Sequence, residues 1–184
     1  MAYKGIDYMR KKLDYKRQRV NLRYSYYEMK RMVPDLSLAI PPELRFLTAT
    51  LGWCAKAVDS LADRLVFREF RNDVFDLNEC FRMNNPDVLF DSAVLSALIS
   101  SCSFIYISVG GDGFPRLQVI DGGNATGTID PQTGMLTEGY AVLEYDEHDK
   151  PITEAYLLPG LTFIYENGKL TREIKNSAPY PLLI

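Results

Sequence analysis

Residues 109–134, VGGDGFPRLQVIDGGNATGTIDPQTG, hold seven of the chain's twelve glycines together with Asp112, Asp121, Asn124 and Asp130. Glycines let backbone amides close on a phosphate, and carboxylate and amide oxygens are calcium ligands, so both chemistries can be asked of this segment. A phosphate loop needs its glycines between a strand and the start of a helix, with Lys-Ser/Thr close behind. Here strand-forming residues stand on both sides, and no Lys-Ser/Thr follows. The EF-hand pattern of alternating Asp/Asn closed by a glutamate is also missing. The same residue types are what tight turns require for positive φ. The segment therefore reads as two hairpin turns around the strand RLQVID.

The other reactive residues are scattered. Cys54, Cys80 and Cys102 form no CxxC pair, and the single histidine, His148, lies in the polar run YDEHDK. A thiol nucleophile wants a basic neighbour, and a zinc site wants several His or Cys ligands together. The reading is three reduced thiols, no metal, no cofactor and no enzyme.

Charge is more informative. Residues 1–31 carry ten Lys/Arg against Asp7, Asp14 and Glu28, a balance of +7, whereas the remainder carries eleven against twenty-one Asp/Glu, a balance of −10. The split suggests a basic helical arm over residues 1–33 attached to an acidic body over 34–184. Arg10, Lys11, Lys12, Lys16, Arg17, Arg19 and Arg23, interleaved with tyrosines, are its candidate contacts to DNA or to an acidic protein surface.

The elements that position these residues follow from periodicity. Residues 3–32 are helix-prone, and PDLSLAIPP (34–42) is a proline-rich connector. Leu44, Leu47, Leu51, Cys54, Val58, Leu61 and Leu65 then repeat at alternating spacings of three and four. That pattern predicts one long amphipathic helix whose stripe packs against the β-half or a neighbouring subunit. RLVFREF (64–70) reads as a weak extended piece, and FDLNECFRM (75–83) as a short helix. Asn85 and Pro86 open a further helix running to about Ser101, with Val88, Asp91, Leu95, Leu98 and Cys102 on one side.

The β-branched and aromatic content of SFIYISV (103–109) marks a buried strand. RLQVID, GYAVLEYDE, PITEAYLLP, LTFIYEN and KLTREI after it alternate with period two, and Asn167-Gly168 between the last two is a strong hairpin signal. The expected class is α+β: N-terminal helices, then an antiparallel β-meander, with helices over 42–102 and strands over 103–184. No apolar run approaches the ~18 residues of a membrane span.

The stretch from about residue 44 to the β-meander resembles the portal proteins of tailed bacteriophages, of the siphophage portal family. The matching positions are Trp53-Cys54, Val58-Asp59, Leu61-Ala62, Arg64-Leu65, Phe70, an asparagine at 84 or 85, Ala97-Leu98, Ser103-Phe104 and Pro115. Glu69 and Ser101 depart from it, standing where the family usually has glycine. The resemblance implies the first part of a wing domain, with stem, clip and crown expected to follow residue 184.

It also implies a homo-oligomeric ring of about twelve subunits at the capsid vertex of the virion, made in the host bacterial cytoplasm. The ring would dock the major capsid protein, scaffold, terminase and head-tail connector and pass double-stranded DNA, leaving ATP hydrolysis to the terminase. A nucleic-acid-binding module built on the basic arm is the alternative function.

Overall fold

The computed structural model describes residues 3–30, 52–111 and 113–184. Four helices precede the strands: α1 (Ile6–Tyr27), α2 (Trp53–Ala62), α3 (Leu77–Met83) and α4 (Pro86–Ser100). Seven strands follow: β1 (Ser103–Val109), β2 (Pro115–Asp121), β3 (Ala125–Ile129), β4 (Leu136–Tyr145), β5 (Pro151–Leu158), β6 (Leu161–Glu166) and β7 (Lys169–Lys175). The α+β class and the meander hold. No described helix is long and apolar enough to cross a membrane.

The strands form two sheets. β1 and β2 make an antiparallel hairpin, and β3 to β7 run in sequence order as an antiparallel five-stranded meander. Asn167 and Gly168, with φ of 52° and 76°, turn β6 into β7 in the left-handed conformation that this tight hairpin demands.

Period two sorts the central strands into two faces. Ala141, Ala155, Leu157 and Ile164 point one way and pack with Tyr106 and Ile120 of the hairpin and with Leu183. Tyr140, Val142 and Tyr156 point the other way, against Met9 and Leu13 of α1. Facing pairs such as Tyr140–Tyr156 and Ala141–Ala155 keep the register, because a one-residue slip would exchange the two faces. The C-terminal residues complete the small sheet: Ile105 and Ile107 donate backbone hydrogen bonds to the carbonyls of Ile184 and Leu182.

Several sequence expectations are corrected. GGNATGTIDPQTG contains a strand, β3, which pairs with β4 and not with RLQVID. The turn after RLQVID is therefore a passage between sheets. Gly127 is required in β3 because a Cβ there would lie 2.8 Å from the Glu138 carbonyl oxygen and 2.6 Å from Leu136 Cδ2. RLVFREF holds no strand.

α4 begins at Pro86 directly after Asn85, as the sequence indicates, but Asn85 is left-handed with φ of 51° and its side chain makes no capping hydrogen bond. The helix buries Leu89, Ser96, Ile99 and Ser100, a face rotated from the expected Val88–Leu95 side. Residues 1–33 do not form a projecting arm over their described part. Met9, Leu13 and Val20, four and seven residues apart, are buried and make α1 a layer of the body.

Of the leucine stripe, Leu44, Leu47 and Leu51 lie outside the described residues, as does the 34–42 connector. The described helix ends at Ala62, so Leu65 follows it, and no residue of α2 is buried. Cys54, Leu61 and Leu65 are exposed and Val58 half-buried, so this part of the stripe does not pack into the β-half.

Candidate functional site

The cations of α1 divide between two sides of the helix. A helix laid on a sheet by Met9 and Leu13 brings its flanking positions down to the sheet surface. Arg10 donates Nε and Nη2 to the two Glu154 carboxylate oxygens at 2.9 and 2.6 Å. Glu154 is only 4% exposed and also accepts the Tyr140 hydroxyl. A buried carboxylate is tolerated only when paired and hydrogen-bonded, and this one is both.

The neighbouring buried acid is held differently. Glu138, 2% exposed, accepts from the Tyr156 hydroxyl at 2.8 Å and the Thr128 hydroxyl at 3.1 Å. It also accepts from the backbone amides of Lys4 and Gly5, which lead into α1. These acids tie the N-terminal half of α1 to β4 and β5. Burial first, then hydrogen bonds to the carboxylates, push the Tyr140 and Tyr156 hydroxyls well above the usual phenol range. The hydrogen bonds it donates to Glu154, outweighing burial, raise the Arg10 guanidinium further.

Three more candidate cations turn inward. Lys12 Nζ donates to the Gly127 carbonyl at 2.5 Å, and burial lowers its pKa. Arg17 donates to the Gly123 carbonyl at 3.3 Å and to Asn124 Oδ1 at 3.0 Å, lying 4.8 Å over the Tyr145 ring. Arg23 donates to the Ser100 carbonyl at 2.9 Å and to the Ser101 hydroxyl. Lys11, Lys16 and Arg19 are exposed, Lys11 and Arg19 on the side away from the sheet and Lys16 on the flank beside Arg23. Sequence reasoning missed Glu138 and Glu154. The available signal was acidic residues at inward positions of otherwise apolar strands, with Arg10 and Arg17 seven apart beside the apolar stripe.

The residues of the ligand question are spent on turns. Asp121 accepts from the Gly123 amide and the Asn124 side chain, and Asp130 from the Gln132 amide and the Thr133 hydroxyl. Asp112 lies outside the described residues. His148 sits in the β4–β5 turn, where Asp146 accepts the His148 and Lys150 amides. Cys54 and Cys102 are exposed and Cys80 half-buried, all as thiols. Among the described residues no cluster of three or more His, Cys, Asp or Glu could hold a metal ion.

A second surface lies among α2, α4 and the segment after α2. A groove of about 430 Å³ is lined by Phe67, Phe81 and Phe90 together with Asp59, Asp63, Asp87 and Asp91. The Phe67 ring is 4.4 Å from Phe81 and 5.7 Å from Phe90, so the three rings form one apolar cluster. Nearby Leu61, Leu65 and Val66 are exposed, Val66 to 73%.

Asn84 joins this helical region to the β-half. It donates to the Pro115 carbonyl at 3.0 Å and the Cys80 carbonyl at 2.8 Å, and accepts the Leu117 amide at 2.8 Å. No protein-family model and no curated protein matches this chain.

Proposed function

We propose that the chain is a structural subunit of the portal ring of a tailed bacteriophage, carrying the first part of the wing domain. In this reading it performs no chemistry. It assembles into a ring at one capsid vertex of the virion and helps dock capsid, scaffold, terminase and head-tail connector around the path of double-stranded DNA. The observation that carries it is the contact between Asn84 and Pro115. An asparagine at 84 or 85 and a proline at 115 are positions on which the resemblance rests. They stand thirty-one residues apart, and in the fold Asn84 clasps the Pro115 carbonyl and the Leu117 amide. The described helix, short helix, helix and strand also follow one another in the order of the resemblance.

Electron microscopy and mass measurement of the assembled protein test the reading. Closed particles of about twelve copies are expected, and a protein that stays monomeric overturns it.

The exposed Lys11, Lys16 and Arg19 favour one second reading, a nucleic-acid-binding module. Its test is a gel shift at two salt concentrations with these three residues changed to serine. Loss of a strongly salt-dependent shift supports it. Substitution is a cleaner test than removing residues 1–31, because truncation also removes the buried Met9 and Leu13.

A further inference from the structure

Besides the side seated on the sheet, α1 has an outward stripe. Tyr8, Lys11, Tyr15, Arg19 and Leu22 follow at spacings of three, four, four and three, the helical repeat of a single face. All five are exposed, Tyr15 to 81%. Met9, Leu13 and Val20 hold the helix by its other side, so this aromatic and cationic stripe faces away from the sheet.

The phenylalanine groove has the complementary character. Its floor is aromatic, and Asp63, Asp87 and Asp91 in its lining are exposed. A helix laying an i, i+3, i+4 face into an apolar groove is a recurrent recognition mode, and Tyr and Arg are the residues that anchor such contacts. Opposite charges at the edge set orientation and speed encounter. The groove has room for a ring side chain such as that of Tyr15.

We propose that the outer stripe of α1 in one copy seats in the α2–α4 groove of a second copy, with Lys11 and Arg19 facing Asp87 and Asp91. The contact joins two different patches and is therefore heterologous, so it propagates from copy to copy and closes into a ring where the rotation permits. The proposal rests on the ring-subunit reading and supplies the surfaces by which neighbours would meet.

Sedimentation velocity of the chain tests it. Association is expected to weaken about tenfold between about 50 mM and about 500 mM salt. Lys11→Glu/Arg19→Glu and Asp87→Lys/Asp91→Lys are each expected to weaken it about a hundredfold, and their equimolar mixture to restore it. All four positions are exposed, so both variants are expected to keep the wild-type circular dichroism, with a slightly lower melting point for Asp87→Lys/Asp91→Lys because Asp87 stands in the first turn of α4. Tyr15→Ala is a third variant that alters no charge and is expected to weaken association about tenfold.

If the wild type forms closed rings and all variants do so equally, the proposed contact is overturned while the ring reading stands. If the mixture restores association but the particles are open chains, the contact stands and the ring reading falls. A chain still monomeric at about 1 mM overturns both.

Discussion

Arg10 on α1 and Glu154 on β5, 144 residues apart in the chain, share a two-point ion pair beneath the helix. Glu154 is nearly inaccessible, whereas the Arg10 side chain is 31% exposed. The pair thus lets a strongly basic helix lie flat on a sheet that carries buried acid. Removing the cation strands a carboxylate that has lost its solvent, which costs more than the pair itself contributes. Arg10→Met is expected to lower unfolding free energy by about 2–4 kcal/mol, and Arg10→Met/Glu154→Gln, which removes the charge but keeps an acceptor for the Tyr140 hydroxyl, to recover part of it. Urea denaturation of the single and double variants measures both; equal loss in the two would show that the carboxylate is not the penalty.

The seat of α1 on the sheet is apolar at its centre. Met9 and Leu13 are at most 2% exposed against Tyr140, Val142 and Tyr156. Leu13→Ala is expected to cost about 2–5 kcal/mol through lost burial and the cavity left behind. Tyr15→Ala, on the outer side, is expected to change stability by less than about 0.5 kcal/mol. Thermal melts of the two variants side by side check the contrast.

Alkaline pH should loosen the same seat. The Tyr140 and Tyr156 hydroxyls are raised in the fold by burial and by their bonds to Glu154 and Glu138. An unfolded tyrosine loses its proton near pH ~10, so below that value both states hold the proton and the stabilisation is fully present. Above it the unfolded chain releases protons that the folded chain retains, and stability falls as pH rises toward the folded values. Urea midpoints measured from neutral to strongly alkaline pH are expected to drop, and less steeply in Tyr140→Phe. Parallel curves for the two proteins would remove Tyr140 from the effect.

Asn84 is the hinge pin between helices and strands, with its amide and carbonyl groups both engaged. Asn84→Ala leaves the Leu117 amide and the Pro115 carbonyl without this partner. The expected loss is about 1–3 kcal/mol. Asn84→Asp keeps the acceptor for the Leu117 amide and loses the donor, so it should fall between wild type and alanine. Hydrogen exchange at the Leu117 amide reads the bond directly, and unchanged protection in Asn84→Ala would contradict it.

Local rules were enough for much of this molecule. Period-two alternation marked five of the seven strands and β-branched content marked β1, Asn85-Pro86 marked the start of α4, and Asn167-Gly168 marked the last hairpin, because each depends on residues adjacent in the chain. The charge split of residues 1–31 was likewise plain in the sequence. β3 was hidden because its glycine and threonines look like turn residues until Leu136 and the Glu138 carbonyl close over Gly127.

Which cations bind the body and which face outward could not be read locally. Arg10 and Lys11 are equivalent by composition, and one turns inward only because Met9 and Leu13 are held by β4 and β5 more than a hundred residues away. The burial of Glu138 and Glu154 was decided by the same packing. A carboxylate enters a core only where a tertiary partner meets it, and that partner is chosen by the fold.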